Sequence, residues 1–133
     1  MEGACAGGTI TYRGDPVRLV NCHCNLHRRI NGPVFSSYIV AQTKTLAVLD
    51  PKSSLHRCAV TDCSTKPYCG NCGTPLYNSD PSAYPGHSMI YLGIGTSAVM
   101  LKPDIHIFRE NKLPWIDALA SQHNFTQSPL HRL

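Results

Sequence analysis

The sequence predicts an antiparallel all-β domain around a single core, and three observations predict it. Apolar and β-branched residues alternate over short runs and do not recur at helical spacing. Ten glycines and ten prolines punctuate the 133 residues, so turns are frequent and elements short. Two cysteine clusters, Cys22-His23-Cys24 with His27 and Cys69-Gly70-Asn71-Cys72-Gly73, bring together the ligands with which small folds hold zinc.

Taken in order, residues 9–13 put Ile10 and Tyr12 on one face, and residues 16–20 continue with Val17 and Leu19. Gly14-Asp15 between them predicts a tight hairpin. After the first cluster, residues 25–30 predict a turn or two of helix, stopped by Asn31-Gly32-Pro33. Strands follow over 34–41 and 45–49, with Asp50-Pro51 as the break. Residues 55–61 predict a strand leading to the second cluster, and residues 89–94 and 105–109 the late strands. Residues 115–120 suit a short helix after Leu113-Pro114. From Ser121 onward there is no periodicity, which predicts a surface or fraying tail. The division is one domain over residues 1–120 and a tail over 121–133, with no internal repeat and no Ser/Gly linker.

The net charge is +4, with basic residues spread along the chain. That suits an anionic small ligand at least as well as nucleic acid. Nucleic acid is not expected, because aromatic and basic residues do not cluster and no long basic extension is present. No apolar stretch is long enough to span a bilayer. Met1-Glu2-Gly3-Ala4-Cys5 begins no long apolar run, and seven cysteines is an odd number. The expectation is a cytoplasmic protein with reduced thiols, not a disulfide framework. Its expected partners are a small-molecule substrate and a second copy in a homodimer.

Cys24 and Cys69 lie too far apart for a simple zinc ribbon. Either the clusters meet at one metal or each builds its own site. Two other readings stand beside metal binding. Buried free cysteines behave as small hydrophobes, and this is the reading for Cys58 and Cys63, which have no Gly turn or paired ligand. A redox Cys-x-x-Cys at Cys69 and Cys72 needs a strand-to-helix context that Gly73-Thr74-Pro75 does not supply.

Several motifs in order carry a more specific likeness. These are Gly3-Ala4-Cys5 with Tyr12, then Cys22-His23-Cys24-x-x-His27-Arg28-Arg29, then Tyr68-Cys69-x-x-Cys72-Gly73-Thr74-Pro75-Leu76. A late segment, Leu101-Lys102-Pro103-Asp104-Ile105-His106-Ile107-Phe108-Arg109-Glu110-Asn111-Lys112-Leu113-Pro114-Trp115, completes the set. Together they resemble the glutathione-dependent formaldehyde-activating enzyme family, which includes centromere protein V. The resemblance implies a zinc-binding β-tent of antiparallel sheets with short helical turns and two zinc sites. Carried over by position, a four-sulfur structural site falls on Cys5, Cys69 and Cys72, with Gly7 where a further cysteine belongs. A three-sulfur open site falls on Cys22 and Cys24, with His27 in place of its third cysteine. One zinc is therefore expected at the open site. The second site keeps zinc if Cys58, Cys63, a histidine or water completes it; otherwise packing replaces the metal.

An open zinc position activates a thiol or polarises a carbonyl. The resemblance thus implies a carbon–sulfur lyase-type metalloenzyme acting on glutathione–aldehyde adducts or a related small carbonyl metabolite. Arg28 and Arg29 are candidate clamps for glutathione's carboxylates, against the alternative of a solvated helix face. His23 and His27 are the candidate catalytic histidines, His23 as a proton shuttle or else a residue turned from the metal. Trp115 suits a pocket wall or core anchor, and His106 a surface or satisfied sheet position. The competing functional class is a non-catalytic, zinc-stabilised module that binds protein or nucleic acid.

Overall fold

The computed structural model describes residues 1–96 and 101–126. Among the described residues ten strands form two sheets: β1 (Glu2–Ala4), β2 (Thr11–Arg13), β3 (Pro16–Cys22), β4 (Ser36–Gln42), β5 (Ala47–Leu49), β6 (Leu55–Ala59), β7 (Thr65–Cys69), β8 (Tyr77–Ser79), β9 (His87–Tyr91) and β10 (Ile105–Ile107). A three-stranded sheet has the order β1-β2-β5. A seven-stranded sheet runs β10-β3-β4-β9-β8-β7-β6. One α-helix, α1 (Asn25–Asn31), follows the first cysteine cluster, and Gly32 ends it at φ 91°, as the Asn31-Gly32-Pro33 signal predicts. No described helix is long and apolar enough to cross a membrane.

The fold is all-β with antiparallel sheets, with one exception: β10 runs parallel to β3. The two central strands explain how the molecule is layered. On β4, Tyr38 and Ile39 are both fully covered, and in a strand successive side chains face opposite ways. Tyr38 joins Val20, Cys22, Met89 and Tyr91 on one face. Ile39 joins Ala41, Ile90 and Tyr12 on the other, so the small sheet covers that face. The metal-ligand candidates of the first cluster lie on the Tyr38 side.

Gly3 shows how tightly the small sheet is drawn in. A Cβ there would lie 2.3 Å from the Ile94 carbonyl oxygen and 2.4 Å from the Tyr12 ring, so only glycine admits this approach.

The Gly14-Asp15 hairpin does not form. β2 pairs with β1 and β5, whereas β3 pairs with β4 and β10. The turn instead passes the chain between sheets. The Met1 amino group donates to the Gly14 carbonyl at 2.8 Å, and Gly14 N–H donates to the Met1 carbonyl at 2.9 Å. Those two bonds engage the groups that a hairpin would have used. Strands β1, β7 and β8 have no clear alternation and escape sequence reading. The late helix is a 3₁₀ element over Pro114–Ser121. Of the tail, residues 127–133 lie outside the described residues.

Candidate metal centre

The first cluster is assembled by a strand end and a helix start. Cys22 is the last residue of β3 and Cys24 is the N-cap of α1, with φ −62° and ψ 143°. Its sulfur accepts a hydrogen bond from the His27 N–H at 3.3 Å, satisfying a donor that a helix start leaves free. The first helical turn then carries His27 back over the strand end. Its Nδ1 lies 3.7 Å from the Cys22 sulfur. The three donor atoms of Cys22, Cys24 and His27 all lie within 4.8 Å of one another. A tetrahedral ion with bonds of about 2.0–2.3 Å needs donors about 3.5–3.8 Å apart. Two sulfurs and an imidazole are also the donor set of a borderline-soft cation. The residues fit a metal ion.

Burial keeps Cys22 and His27 of this triad neutral until a cation arrives. Burial pushes the Cys22 thiol up to about 12. Burial also holds the His27 imidazole below its ordinary value; Lys66 adds to that and Asp80 opposes it. A neutral imidazole offers the lone pair that a metal needs.

Cys24 and His27 form part of the wall of a 280 Å³ cavity. Leu26, Tyr84, Met89 and Phe108 make the wall largely apolar, while Asp80 and His87 supply polar groups. Such a mixture suits a small ligand held in one orientation. Asp80 is fixed by the Ser82 and Ala83 N–H groups at 3.1 and 2.9 Å. His87 Nδ1 lies 2.9 Å from the Pro85 carbonyl oxygen, so that nitrogen carries the proton and Nε2 is left with its lone pair. Phe108 sits at the rim in the left-handed region, φ 55° and ψ 44°, a conformation that costs a non-glycine residue about 1–2 kcal/mol. Larger clefts of 540 and 440 Å³ lie elsewhere. Neither is lined by a cysteine or histidine; a third, also of 540 Å³, has His87 on its wall but no cysteine, so the metal-ligand candidates favour the smaller cavity.

The second cluster is built from two turns. Cys5 follows β1, and its N–H donates to the Ile10 carbonyl at 2.9 Å. Cys69 ends β7, its carbonyl accepting from Gly73 N–H at 2.8 Å. Gly73 makes that turn at φ 73°, where side chains are disfavoured. The sulfurs of Cys5, Cys69 and Cys72 lie within 4.8 Å of one another, so this set also fits a metal ion. The Thr9 hydroxyl is 3.5 Å from the Cys5 sulfur and 3.6 Å from that of Cys69. Burial raises the Cys5 thiol, but hydrogen bonds from Thr9 and the Ile10 N–H bring it below its ordinary value. At the exposed Cys72, the Thr74 hydroxyl and N–H, then the Gly7 N–H, lower the thiol to about 6.

Gly7 faces this cluster. A Cβ there would meet the Cys72 Cβ and sulfur at 3.5 and 3.6 Å. Cys58 and Cys63 are exposed, and neither joins the set within 4.8 Å. They are free thiols, as expected, but the expected burial is overturned. β6 is the outer strand of the large sheet, which leaves its hairpin with β7 open to solvent.

The remaining predicted residues fall outside the cavity wall. His23 is fully buried between the triad cysteines in sequence, but its ring packs on Phe35 and His106. Its Nε2 lies 2.8 Å from His106 Nδ1, and its own Nδ1 has no partner among the described residues. Burial lowers its basicity, with positive charge at His106, Lys112, Arg109 and Arg28 adding to the effect. Arg28 donates to the Asn111 carbonyl at 2.9 Å and to the Asn25 side chain, tying α1 to the late segment. Arg29 is exposed on α1. Trp115 is 44% exposed in the 3₁₀ element. Asp80, His87, Phe108 and the buried Asn78 were not singled out from sequence. Asn78 and Asp80 come from β8 and its end, His87 from β9, which pairs with it, and Phe108 follows β10, which is placed by its pairing with β3.

Comparison with known proteins supports what the geometry suggests. A crystal structure of a Rhodobacter sphaeroides protein is similar with a TM-score of 0.64 and 16% identity, over 80% of this chain and 99% of that one; at that identity it shares the fold alone. No curated protein matches the chain. The family model described as glutathione-dependent formaldehyde-activating enzyme matches residues 1–111. The chain belongs to the glutathione-dependent formaldehyde-activating enzyme family.

Proposed function

We propose that the chain is a zinc-dependent carbon–sulfur lyase-type enzyme. It catalyses the reversible addition of a thiol, glutathione by family, to formaldehyde or another small aldehyde. The observation that carries this reading is the two-sulfur, one-imidazole triad, two of whose members line a mostly apolar cavity. Zinc bound there supplies Lewis acidity, lowering the thiol's pKa and polarising the carbonyl oxygen. Cys22, Cys24 and His27 hold it. In the forward direction the C–S bond forms, and the thiol proton ends on the former carbonyl oxygen; the reverse step breaks that bond. His87, with Nε2 free to accept, carries the proton between the two atoms. Leu26, Tyr84, Met89 and Phe108 exclude water from the adduct. Cys5, Cys69 and Cys72 hold a second, structural zinc. Arg28 serves to dock α1 and Trp115 lies outside the first contacts with substrate, so both act at a distance from the reacting atoms.

The test is a paired measurement on the purified chain: zinc per chain by elemental analysis, and the rate at which glutathione removes free formaldehyde. At least one zinc and a rate above the uncatalysed one are expected, with His87→Gln slowing turnover about 100-fold. Wild-type protein that carries zinc and leaves the rate unchanged would sink the enzymatic reading.

A further inference from the structure

An imidazole differs from a thiolate in having two ends. If Nδ1 faces a metal, Nε2 carries a proton and needs an acceptor. Behind His27 lies the amide of Asn78, whose nitrogen position is 3.4 Å from Nε2. Asn78 is 3% exposed and belongs to a polar group with the buried Tyr38 and Tyr91 and the half-buried Asn31. Its nitrogen is 2.8 Å from the Tyr38 hydroxyl, and the Tyr91 hydroxyl is 3.2 Å from its oxygen. Tyr91 is also 2.7 Å from the Asn31 oxygen, and the Asn31 nitrogen is 3.2 Å from Tyr38.

With the Asn78 nitrogen toward Tyr38, protons and acceptors are mismatched. The single Tyr91 proton faces two amide oxygens, the Tyr38 oxygen receives two N–H groups, and His27 Nε2 must accept. That puts the imidazole proton on Nδ1, against the Cys22 sulfur. Turning the Asn78 amide end for end exchanges its nitrogen and oxygen while the partners stay where they are. Asn31 then donates to Tyr38, Tyr38 to Asn78, Asn78 to Tyr91 and Tyr91 to Asn31. Each group in this closed ring donates once and accepts once, the arrangement in which hydrogen bonds reinforce one another. The Asn78 oxygen is left facing His27.

We infer that this largely buried four-residue ring, through Asn78, sets the tautomer of His27 and makes Nδ1 its metal-binding nitrogen. Asn78 is a positioning residue: it touches the ligand and not the ion. The inference rests on the reading of Cys22, Cys24 and His27 as a metal site, and adds the group that orients it. The ring also clamps the C-terminal end of α1 through Asn31 and the sheet through Tyr38 and Tyr91. The imidazole is thereby held in register with the strand end that carries Cys22.

The experiment uses the full chain and zinc alone. Nitrogen-15 spectra of the zinc-loaded wild type read the tautomer directly, and Nε2–H with a metal-shifted Nδ1 is expected. Chelator competition then compares Asn78→Leu with Asn78→Asp. Loss of the acceptor in Asn78→Leu should weaken zinc binding at this cluster about 10–100-fold, while Asn78→Asp, which keeps an oxygen facing His27, should bind within a few-fold of wild type. Zinc at Cys5, Cys69 and Cys72 serves as the control for folding. A His27 with its proton on Nδ1 in the loaded protein overturns the inference, whether or not Asn78→Leu folds. So does a folded Asn78→Leu with wild-type affinity. A wild type with no zinc at the first cluster overturns the metal site itself, and the inference falls with it.

Discussion

The two sulfur clusters have the same donor count and the same span, three atoms within 4.8 Å, yet their surroundings are opposite. Cys22, Cys24 and His27 lie at a helix start beside a cavity, with Cys22 buried and its thiol held at about 12. Cys5, Cys69 and Cys72 lie between two turns whose hydroxyls and amides point at the sulfurs, with Cys72 lowered to about 6. In the first cluster the protein leaves the ionisation of Cys22 to the cation. In the second, local hydrogen bonds have already ionised Cys72 and favour the thiolate of Cys5. Counting ligands therefore does not separate a working centre from a staple; the groups around them do.

The largest effect should come from breaking the first cluster. Cys24→Ser removes one sulfur but keeps an N-cap able to accept from the His27 N–H, so α1 should survive. On the proposed function, one zinc per chain is lost and the rate falls to background, while zinc at the second cluster stays. Elemental analysis of the double variant Cys22→Ser/Cys24→Ser provides the decisive reading. A full zinc complement there would show that the metal lies elsewhere.

The second effect in size sharpens the other side. Gly7 lacks a donor, yet its Cβ direction meets Cys72 at ordinary contact distance, and its φ is not positive. Gly7→Cys should therefore fit and complete a four-sulfur set. Zinc should become harder to remove from this cluster, and the melting temperature should rise about 5 °C or more. An unchanged melting curve and unchanged chelator resistance would mean that another group already fills that corner.

How far the sequence could be read differs between these regions for a physical reason. Cys22, Cys24 and His27 lie within six residues, so spacing alone suggests that they meet, and the stop at Gly32 is a local signal. Cys5 and Cys69 meet only by tertiary pairing, and their grouping came from resemblance. Asn78, Asp80 and His87 carry no local mark at all. They gather because β8 pairs with β9, and a three-residue strand such as β8 leaves too short a pattern to read. The Gly14-Asp15 error is of the same kind. Turn chemistry was visible there, but the partner that captured Gly14 was Met1, which no local window includes. Arg28 next to His27 suggested a substrate clamp, whereas the helix turns it toward Asn111.

A third measurement sets the clusters against each other by pH. The Cys22 thiol is neutral at pH 7 because its value lies near 12, so binding a cation there releases its proton. Affinity gains about tenfold per pH unit from each proton released. His27, lowered by burial, is already neutral above pH 7 and adds nothing to that slope. Cys72, at about 6, has also lost its proton by then. Chelator competition between pH 7 and 8.5 should thus show affinity at the first cluster rising by at least the roughly tenfold per pH unit that the Cys22 proton supplies, while Cys72 adds nothing to the slope at the second. A first-cluster affinity that does not change with pH would mean that Cys22 is not a ligand.

The smallest effect isolates those hydrogen bonds. Thr9→Val keeps the shape of the side chain and removes the hydroxyl shared by the Cys5 and Cys69 sulfurs. Losing it should cost about 1 kcal/mol of stability and lift the Cys5 thiol back toward its ordinary value, since burial would then act with less opposition. Thiol reactivity of the metal-free protein reads that shift directly, because the thiolate is the reacting form. Reactivity at Cys5 should fall while Cys22 is unaffected, being separated from Thr9 in the other cluster. If Thr9→Val left Cys5 as reactive as before, the Ile10 N–H and Cys69 would be holding the charge, and the second cluster would owe its readiness to the backbone turn and its own sulfurs rather than to its threonine.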